Sequence, residues 1–158
     1  MALSLKHTSH SYDSHKQDNT PDMFYALRPD HILLVEDDPA NLLVASTLLE
    51  TFGYPFDIAT SGYEAVEKAD RCFYPVIIMD MRMPDISGLQ ATSLIRENER
   101  KPGRHASKII CVTANALIGE HERCIASGMD DYLSKPYKLE ELRDKLRIIF
   151  TAISDNSE

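Results

Sequence analysis

Three acidic side chains follow apolar segments of the sequence at the points where predicted strands end. Glu36 and Asp37 come directly after ILLV, and Asp80 comes directly after VIIM. Because the carboxyl ends of parallel strands meet at one edge of a sheet, we expect the three carboxylates to lie close together. Unpaired carboxylates about 4 Å apart repel by a few kcal/mol, so this arrangement requires a cation or a proton. The oxygen-only donor set favours Mg²⁺, with Mn²⁺ as the alternative metal.

Two more predicted strand ends add a hydroxyl and an ammonium group to the same edge. Thr113, in CVTANA, is followed by backbone N–H groups at a helix start, which is an anion-binding arrangement. Lys135, in YLSKPY, can neutralise anionic charge there, and its bond to Pro136 is a candidate for the cis isomer. Taken singly, such a threonine and lysine would be a helix cap and a surface charge. Together with the three carboxylates they indicate phosphoryl transfer, with the carboxylate of Asp80 as the nucleophile.

The segments that carry these residues alternate between short apolar runs and longer amphipathic stretches, which is the pattern of βα repeats. The predicted strands are HILLV (31–35), PFDIA (55–59), PVIIM (75–79), KIICV (108–112) and DYLS (131–134). Asp38, before Pro39, and Ser61 have the spacing of helix starts. Gly53 and Gly128 stand where helices should stop. The pattern predicts a three-layer α/β fold, (βα)₅, with a doubly wound parallel sheet and right-handed crossovers.

The charge and composition of the chain exclude several classes of protein. The formal net charge of −8 argues against a nucleic-acid-binding surface, which needs clustered Lys and Arg. No apolar run is long enough to span a membrane and no secretion signal opens the chain, so we expect a cytoplasmic protein without membrane insertion. The three cysteines, Cys72, Cys111 and Cys124, show no metal-ligand spacing, and we interpret them as reduced core thiols.

The pattern of the chain also predicts its domain limits. Residues 1–29 have little periodicity and are rich in Ser, His, Asp and Asn, which predicts a flexible tail or linker. The apolar segment MFYAL (23–27) is a candidate for docking on the domain. We predict a domain over residues 30–153 and a short C-terminal tail, 154–158. That tail leaves no room for an output domain, so we expect the protein to act through contacts with other proteins.

Four motifs of the chain resemble the receiver domain of two-component response regulators and hybrid histidine kinases. They are ILLVEDDPAN, IIMDMRMPDISG, VTANA and GMDDYLSKPY, in this order and at the predicted strand ends. The resemblance covers about residues 31–152 and implies a flavodoxin-like receiver fold with strand order 2-1-3-4-5. TANAL and GMDDYLSKPYKLEEL are more similar to receivers of hybrid kinases, and a stand-alone response regulator stays open as the alternative.

The resemblance also implies how the acidic residues act. Asp80 would accept a phosphoryl group from the phosphohistidine of a histidine kinase or a histidine-phosphotransfer protein. Asp37 would bind Mg²⁺ directly and Glu36 through water, while the backbone carbonyl of Arg82 would supply a further oxygen. The family more often has Asp where this chain has Glu36, whose extra methylene could alter the metal geometry. The domain would then be a self-phosphorylating and autodephosphorylating signalling module, and not an enzyme.

The remaining residues of the motif are implied in switching. Thr113 would bond a phosphate oxygen, and Lys135 would pair with the phosphate. Tyr132 occupies the position of the family's switch aromatic, whose ring turns inward when Thr113 moves toward the phosphate. A half-buried aromatic residue of the strand is the alternative interpretation of Tyr132.

Two surfaces are candidates for partner contacts. The residues of the first helix predicted to face the core are Asn41, Ala45, Leu48 and Phe52. This leaves Ala40, Leu43 and Thr47 pointing outward beside the acidic site. The resemblance assigns that surface to the partner that carries the phosphohistidine, and a scattered surface leucine is the alternative. The fourth and fifth helices, near 115–127 and 138–153, would form the output or homodimer face together with the fifth strand, and monomer and homodimer both stay open.

Two other functions stay open beside the receiver. A haloacid-dehalogenase-like Mg²⁺-dependent phosphatase also uses an Asp nucleophile at a strand end, but it needs a second Asp two residues later, where this chain has Arg82. An unphosphorylated pseudo-receiver would act purely as a binding module. It would ordinarily lack the acid pair, the acceptor aspartate or the lysine, all of which are present here. Phosphorylation by a small donor separates the three functions.

Overall fold

The computed structural model describes residues 25–115 and 117–156. Its strands are β1 Ala26–Leu27, β2 Ile32–Val35, β3 Phe56–Ala59, β4 Cys72–Phe73, β5 Val76–Asp80, β6 Lys108–Thr113 and β7 Asp131–Ser134. Its helices are α1 Pro39–Phe52, α2 Gly62–Arg71, α3 Gly88–Glu99, α4 Ile118–Ala126 and α5 Leu139–Asp155. None of these helices has the length and apolar character needed to cross a bilayer.

The main sheet is parallel and its strand order is β3-β2-β5-β6-β7. This is the predicted order 2-1-3-4-5, once the short strands β1 and β4 are set aside. The register pairs Val35 of β2 with Met79 of β5, so the residues that follow these two positions reach the same edge of the sheet. Asp80 is itself the last residue of β5, one position beyond the predicted end of that strand.

Alternate residues of the central strands supply two cores, because successive side chains of a strand point to opposite faces of the sheet. On one face, α1 and α5 pack against residues that include Leu34 and Ile78. On the other face, α2, α3 and α4 pack against residues that include Leu33 and Ile77. Both faces of β5 are buried, and the predicted three-layer α/β fold is confirmed.

Side-chain caps fix the starts of three helices. Asp38 accepts a hydrogen bond from the N–H of Asn41 at α1, and Ser61 accepts one from Glu64 at α2. Ser87 forms a full capping box with Gln90 at α3. The N-cap of α4 is Leu117, which provides no side-chain hydrogen bond. The start of α4 is therefore held less firmly by local contacts than the starts of α1, α2 and α3.

The segment before β2 contacts the domain outside the main sheet. β1 pairs in parallel with β4, and the guanidinium of Arg28 lies 2.8 Å from the carboxylate of Asp57. The guanidinium of Arg104 lies over the ring of Tyr25, 4.1 Å from its centroid. Tyr25 to Leu27 are the described part of the MFYAL segment, and the rest of the predicted tail before Tyr25 lies outside the described residues.

Tyr74 makes the stability of the fold sensitive to high pH. Its side chain is buried, and its hydroxyl donates a hydrogen bond of 2.6 Å to Asp57. Burial raises the pKa of Tyr74, and the Asp57 carboxylate raises it further. The stability that Tyr74 contributes is therefore present below about pH 10 and is lost as the pH rises through its folded-state pKa.

We expect Tyr74→Phe to lower the free energy of unfolding by about 1 kcal/mol near neutral pH, because one hydrogen bond is lost. The deficit should shrink or reverse at about pH 11. At that pH the phenol of Tyr74 ionises on unfolding, which lowers the free energy of unfolding of the wild-type chain alone. Urea unfolding at the two pH values measures both differences. Tyr63→Phe is the matched control, since Tyr63 is exposed. A deficit that is the same at both pH values would contradict the role of Tyr74.

Candidate functional site

The carboxyl ends of β2 and β5 bring the three predicted acidic residues together. Glu36 is fully buried, Asp80 is nearly buried and Asp37 is exposed. One carboxylate oxygen from each residue lies within 4.8 Å of the others. They line a cleft of about 440 Å³ at the edge of the sheet, together with Arg82 and Lys135.

Lys135 is the cation that faces two of these carboxylates. Its ammonium nitrogen lies 2.8 Å from Glu36 Oε2 and 2.9 Å from Asp80 Oδ2. The Lys135–Pro136 peptide bond is cis, as predicted. Burial lowers the pKa of Lys135, but the hydrogen bonds and charges of Glu36 and Asp80 outweigh it and raise the pKa above its ordinary value. The lysine is therefore charged at neutral pH.

The carboxylates of the cleft outnumber its cations, since Glu36, Asp37, Asp38 and Asp80 line it against Arg82 and Lys135. Burial raises the pKa of Glu36, and the charge of Asp80 adds to this, while the hydrogen bond from Lys135 opposes it. The site thus keeps an excess of negative charge, and its carboxylate oxygens lie close enough together to bind one cation. This donor set fits Mg²⁺, which prefers carboxylate, carbonyl and water oxygens, and Mn²⁺ accepts the same ligands.

We expect Lys135→Met to lower the free energy of unfolding by about 2 kcal/mol at about pH 7.5 in metal-free buffer, because it leaves Glu36 and Asp80 without their cation. The pKa of Glu36 is already raised in the folded state, so protonation of Glu36 stabilises the folded state. Loss of the lysine should raise the folded-state pKa of Glu36 further. The deficit should therefore shrink as the pH falls to about 5. Urea unfolding with a chelator measures it, with the exposed Lys138→Met as control. An equal deficit at both pH values would contradict this electrostatic account.

The hydroxyl of Thr113 lies at the end of β6 and also lines the cleft. Its oxygen accepts a hydrogen bond of 3.0 Å from the N–H of Asn115, and its proton faces Glu120 Oε1 at 3.0 Å. The sequence predicts Thr113 at the site, and the structure places it there. Glu120 was not predicted. One sequence signal could have indicated Glu120. It lies in the first turn of a helix whose N-cap, a leucine, cannot form a capping box with it, so its carboxylate is available for another donor.

The loop after Asp80 is held by a second residue that was not predicted. The carboxylate of Asp85 accepts hydrogen bonds of 2.8 Å from the N–H groups of Gly62 and Tyr63 at the start of α2. Desolvation raises the pKa of Asp85, but backbone hydrogen bonds from Tyr63, Ile86 and Gly62 outweigh it and lower the pKa to about 2. Asp85 thereby anchors the loop that carries Arg82 to a neighbouring helix.

The fold and the acidic cleft of this chain match one known protein family. The family model of the response regulator receiver domain matches residues 32–147, which include every strand of the main sheet and all of the residues that line the acidic cleft. The chain belongs to the response regulator receiver family. It is therefore a receiver domain, the phosphorelay module of signalling proteins, as the sequence predicts.

Solved structures of receivers show the same fold. The receiver domain of the sensor histidine kinase PA1611 from Pseudomonas aeruginosa PAO1 is 42% identical, with a TM-score of 0.67, over 79% of this chain and 98% of that one. That structure has a magnesium ion coordinated in its active site cleft. A co-crystal of the Saccharomyces cerevisiae histidine phosphotransfer protein Ypd1 with the receiver domain of Ssk1 matches at 29% identity and a TM-score of 0.69, over 73% of this chain and 84% of the matched chain.

The curated relatives are much longer than this receiver. The histidine-protein kinase BarA of Escherichia coli K12 is 37% identical over 115 residues. This match covers 73% of the receiver chain but only 12% of BarA.

The candidate switch residue of the receiver, Tyr132, is half-buried in β7. Its ring meets that of His121 edge-on, with 4.6 Å between the ring centroids. A small cavity borders the two rings and is also lined by Thr113, Leu117 and Cys124. The structure thus places Tyr132 beside Thr113, with space between the end of β6 and α4.

The receiver exposes apolar side chains on the two faces that the sequence predicts. On α1, Leu43 is 69% exposed, and Ala40 and Thr47 are exposed beside it. On α4, α5 and the residue before α4, the large exposed apolar side chains among those described include Leu117, Ile125, Leu139 and Ile148. Exposure alone does not assign a partner to either face.

Proposed function

We propose that Asp80 accepts a phosphoryl group from the phosphohistidine of a histidine kinase or a histidine-phosphotransfer protein, with Mg²⁺ or alternatively Mn²⁺, and that this switches contacts with other proteins. One observation carries the proposal. Asp80 is a nearly buried carboxylate at a strand end, in a cleft that also holds the carboxylates of Glu36 and Asp37, the ammonium of Lys135 and the hydroxyl of Thr113.

The transfer forms one bond and breaks another. A carboxylate oxygen of Asp80 attacks the phosphorus atom, a P–O bond forms, and the P–N bond of the phosphohistidine breaks with its electron pair left on the imidazole nitrogen. The product is an acyl phosphate on Asp80. Lys135, already 2.9 Å from the Asp80 carboxylate, would neutralise the phosphoryl oxygens, and Thr113 would donate a hydrogen bond to one of them.

The metal would be held by Glu36, Asp37, Asp80 and the backbone carbonyl of Arg82. When bound, Mg²⁺ supplies positive charge that stabilises the phosphoryl oxygens during transfer. The excess of carboxylates over cations at this edge supports its binding, as does the magnesium in the PA1611 receiver. Glu36 departs from the family's usual Asp, but it is fully buried and paired with Lys135, which suits a contact to the metal through water.

The surface of α1 formed by Ala40, Leu43 and Thr47 would dock the partner that carries the phosphohistidine. Its exposed Leu43 supports this, and so does the complex of a receiver with a histidine phosphotransfer protein. Homodimerisation would use α4, β7 and α5, where Ile148 is 70% exposed. The domain would span residues 30–153, with 1–29 as a tail or linker and 154–158 as a short tail, and would work in the cytoplasm. The end of that linker contacts the domain through β1 and Arg28, and α5 continues to Asp155.

Incubation with acetyl phosphate tests the proposed function. We expect the intact mass to rise by one phosphoryl group in the presence of Mg²⁺ and not in the presence of a chelator. No mass gain under either condition would contradict the proposal and favour a pseudo-receiver. Continuous turnover of a phosphate monoester, without a stable acyl phosphate, would contradict it in favour of a phosphatase.

A further inference from the structure

We propose that Glu120 is a positioning residue that competes with the phosphoryl group for the hydroxyl of Thr113 and thereby holds the unphosphorylated conformation. The inference rests on the proposed function, since it concerns the conformational step that follows phosphorylation of Asp80. It assigns to Glu120 a role that the acidic site itself does not require.

The hydrogen bonds of Thr113 define the competition. A threonine hydroxyl has one proton to donate. Two acceptors face that proton, the Asn115 carbonyl oxygen at 3.3 Å and the Glu120 carboxylate at 3.0 Å. The carboxylate is closer and charged, so it is the stronger acceptor. The proton of Thr113 is therefore directed toward α4 and away from the position that a phosphoryl oxygen on Asp80 would occupy.

The way α4 begins leaves the side chain of Glu120 available for this hydrogen bond to Thr113. Glu120 is the third residue of the helix, where an acidic side chain usually turns back to cap the first N–H groups. The N-cap Leu117 offers no side-chain oxygen in return and is 66% exposed. Glu120 instead crosses to β6. Its hydrogen bond to Thr113 connects the first turn of α4 to the site, and the N-cap residue Leu117 adds no side-chain hydrogen bond there.

Loss of the hydrogen bond between Thr113 and Glu120 would also affect the contacts between α4 and β7. When the Thr113 hydroxyl turns to a phosphoryl oxygen, Glu120 loses its donor and the first turn of α4 is free to move. His121, the next residue, contacts the ring of Tyr132, and both rings border the small cavity beside Thr113. A bond present only in the unphosphorylated state opposes phosphorylation, because it stabilises that state alone. Removing it should therefore favour the phosphorylated conformation.

The test compares rates of phosphorylation by acetyl phosphate and Mg²⁺, followed by intact mass. We expect Glu120→Ala to react about fivefold faster than wild type, and Glu120→Gln, which keeps a weaker neutral acceptor, to fall between them. Glu122→Ala is the matched control, because it removes the same charge from an exposed position of the same helix. It should react within twofold of wild type. Thermal unfolding of each variant verifies that the fold is kept.

A double-variant comparison separates positioning from a general effect of charge or stability. In a Thr113→Val background the hydroxyl is absent, so adding Glu120→Ala should change the rate by less than twofold. An equal acceleration in both backgrounds, or an acceleration matched by Glu122→Ala, would overturn the role of Glu120. So would a wild-type rate in both Glu120→Ala and Glu120→Gln. If wild type itself gains no phosphoryl group, it is the proposed function that fails.

Discussion

Asp80→Asn is expected to abolish covalent phosphoryl incorporation, lowering the rate by at least about a hundredfold. The amide keeps the size and shape of the side chain but lacks a nucleophilic carboxylate oxygen. Lys135 keeps its second partner, Glu36, 2.8 Å away, so the cleft should stay folded. Intact mass after incubation with acetyl phosphate and Mg²⁺ measures the incorporation. Asp144→Asn on the surface of α5 is the matched control and should react like wild type.

The outcome for Asp80→Asn distinguishes one acceptor from several. Asp37 lies in the same cleft and is exposed, so it is the carboxylate that a small donor would reach if Asp80 were not the acceptor. Full incorporation into Asp80→Asn would therefore contradict the assignment and direct attention to Asp37. A loss shared by Asp144→Asn would show that the assay reports general damage to the protein.

Gly88→Ala is expected to cost about 3 kcal/mol of unfolding free energy and to slow phosphorylation, because α3 begins against the backbone of the acceptor. A Cβ at residue 88 would lie 2.2 Å from the carbonyl oxygen of Asp80 and 3.0 Å from its carbonyl carbon. The obstacle is the last residue of β5, so the helix or the strand end must move. Urea unfolding and the rate of phosphorylation measure the two effects.

Gly119→Ala is the matched control for Gly88→Ala. Both glycines lie in the first turn of a helix, but a Cβ at Gly119 would meet nothing within 4 Å. We expect Gly119→Ala to leave stability unchanged or to raise it by up to about 1 kcal/mol, since alanine is the better helix former. Equal stability of the two variants would contradict the close approach of α3 to Asp80.

The sequence predicts the main sheet and the acidic cleft because both follow from local patterns. Apolar runs of four or five residues indicate strands, and a polar residue directly after such a run marks a strand end. In a parallel sheet those ends share one edge, which is enough to bring Glu36 and Asp80 together without knowledge of any contact. Lys135 was predicted on the same ground.

Features set by tertiary placement were not predicted. On α1, helical spacing placed Leu48 on the core face, and Leu48 does pack there half-buried. Leu49, which was not predicted, is the leucine of α1 that is fully buried, because the rotation of a helix depends on what it packs against. The contacts of Asp85 with α2 and of Glu120 with Thr113 join separate segments. The pairing of β1 with β4 involves two residues on each side, too few to show any alternation.

The central claim is that the carboxylate of Asp80 carries the phosphoryl group. Reduction with borohydride after acetyl phosphate treatment tests it most directly, because hydride reduces an acyl phosphate to an alcohol and leaves free carboxylates unchanged. Peptide mass mapping then locates the modified residue. We predict that the reduced carboxyl lies at residue 80 alone, in the peptide that contains IIMDMRMPDISG, and only when Mg²⁺ was present. Reduction at Glu36 or Asp37, or at no carboxyl group, would contradict the claim.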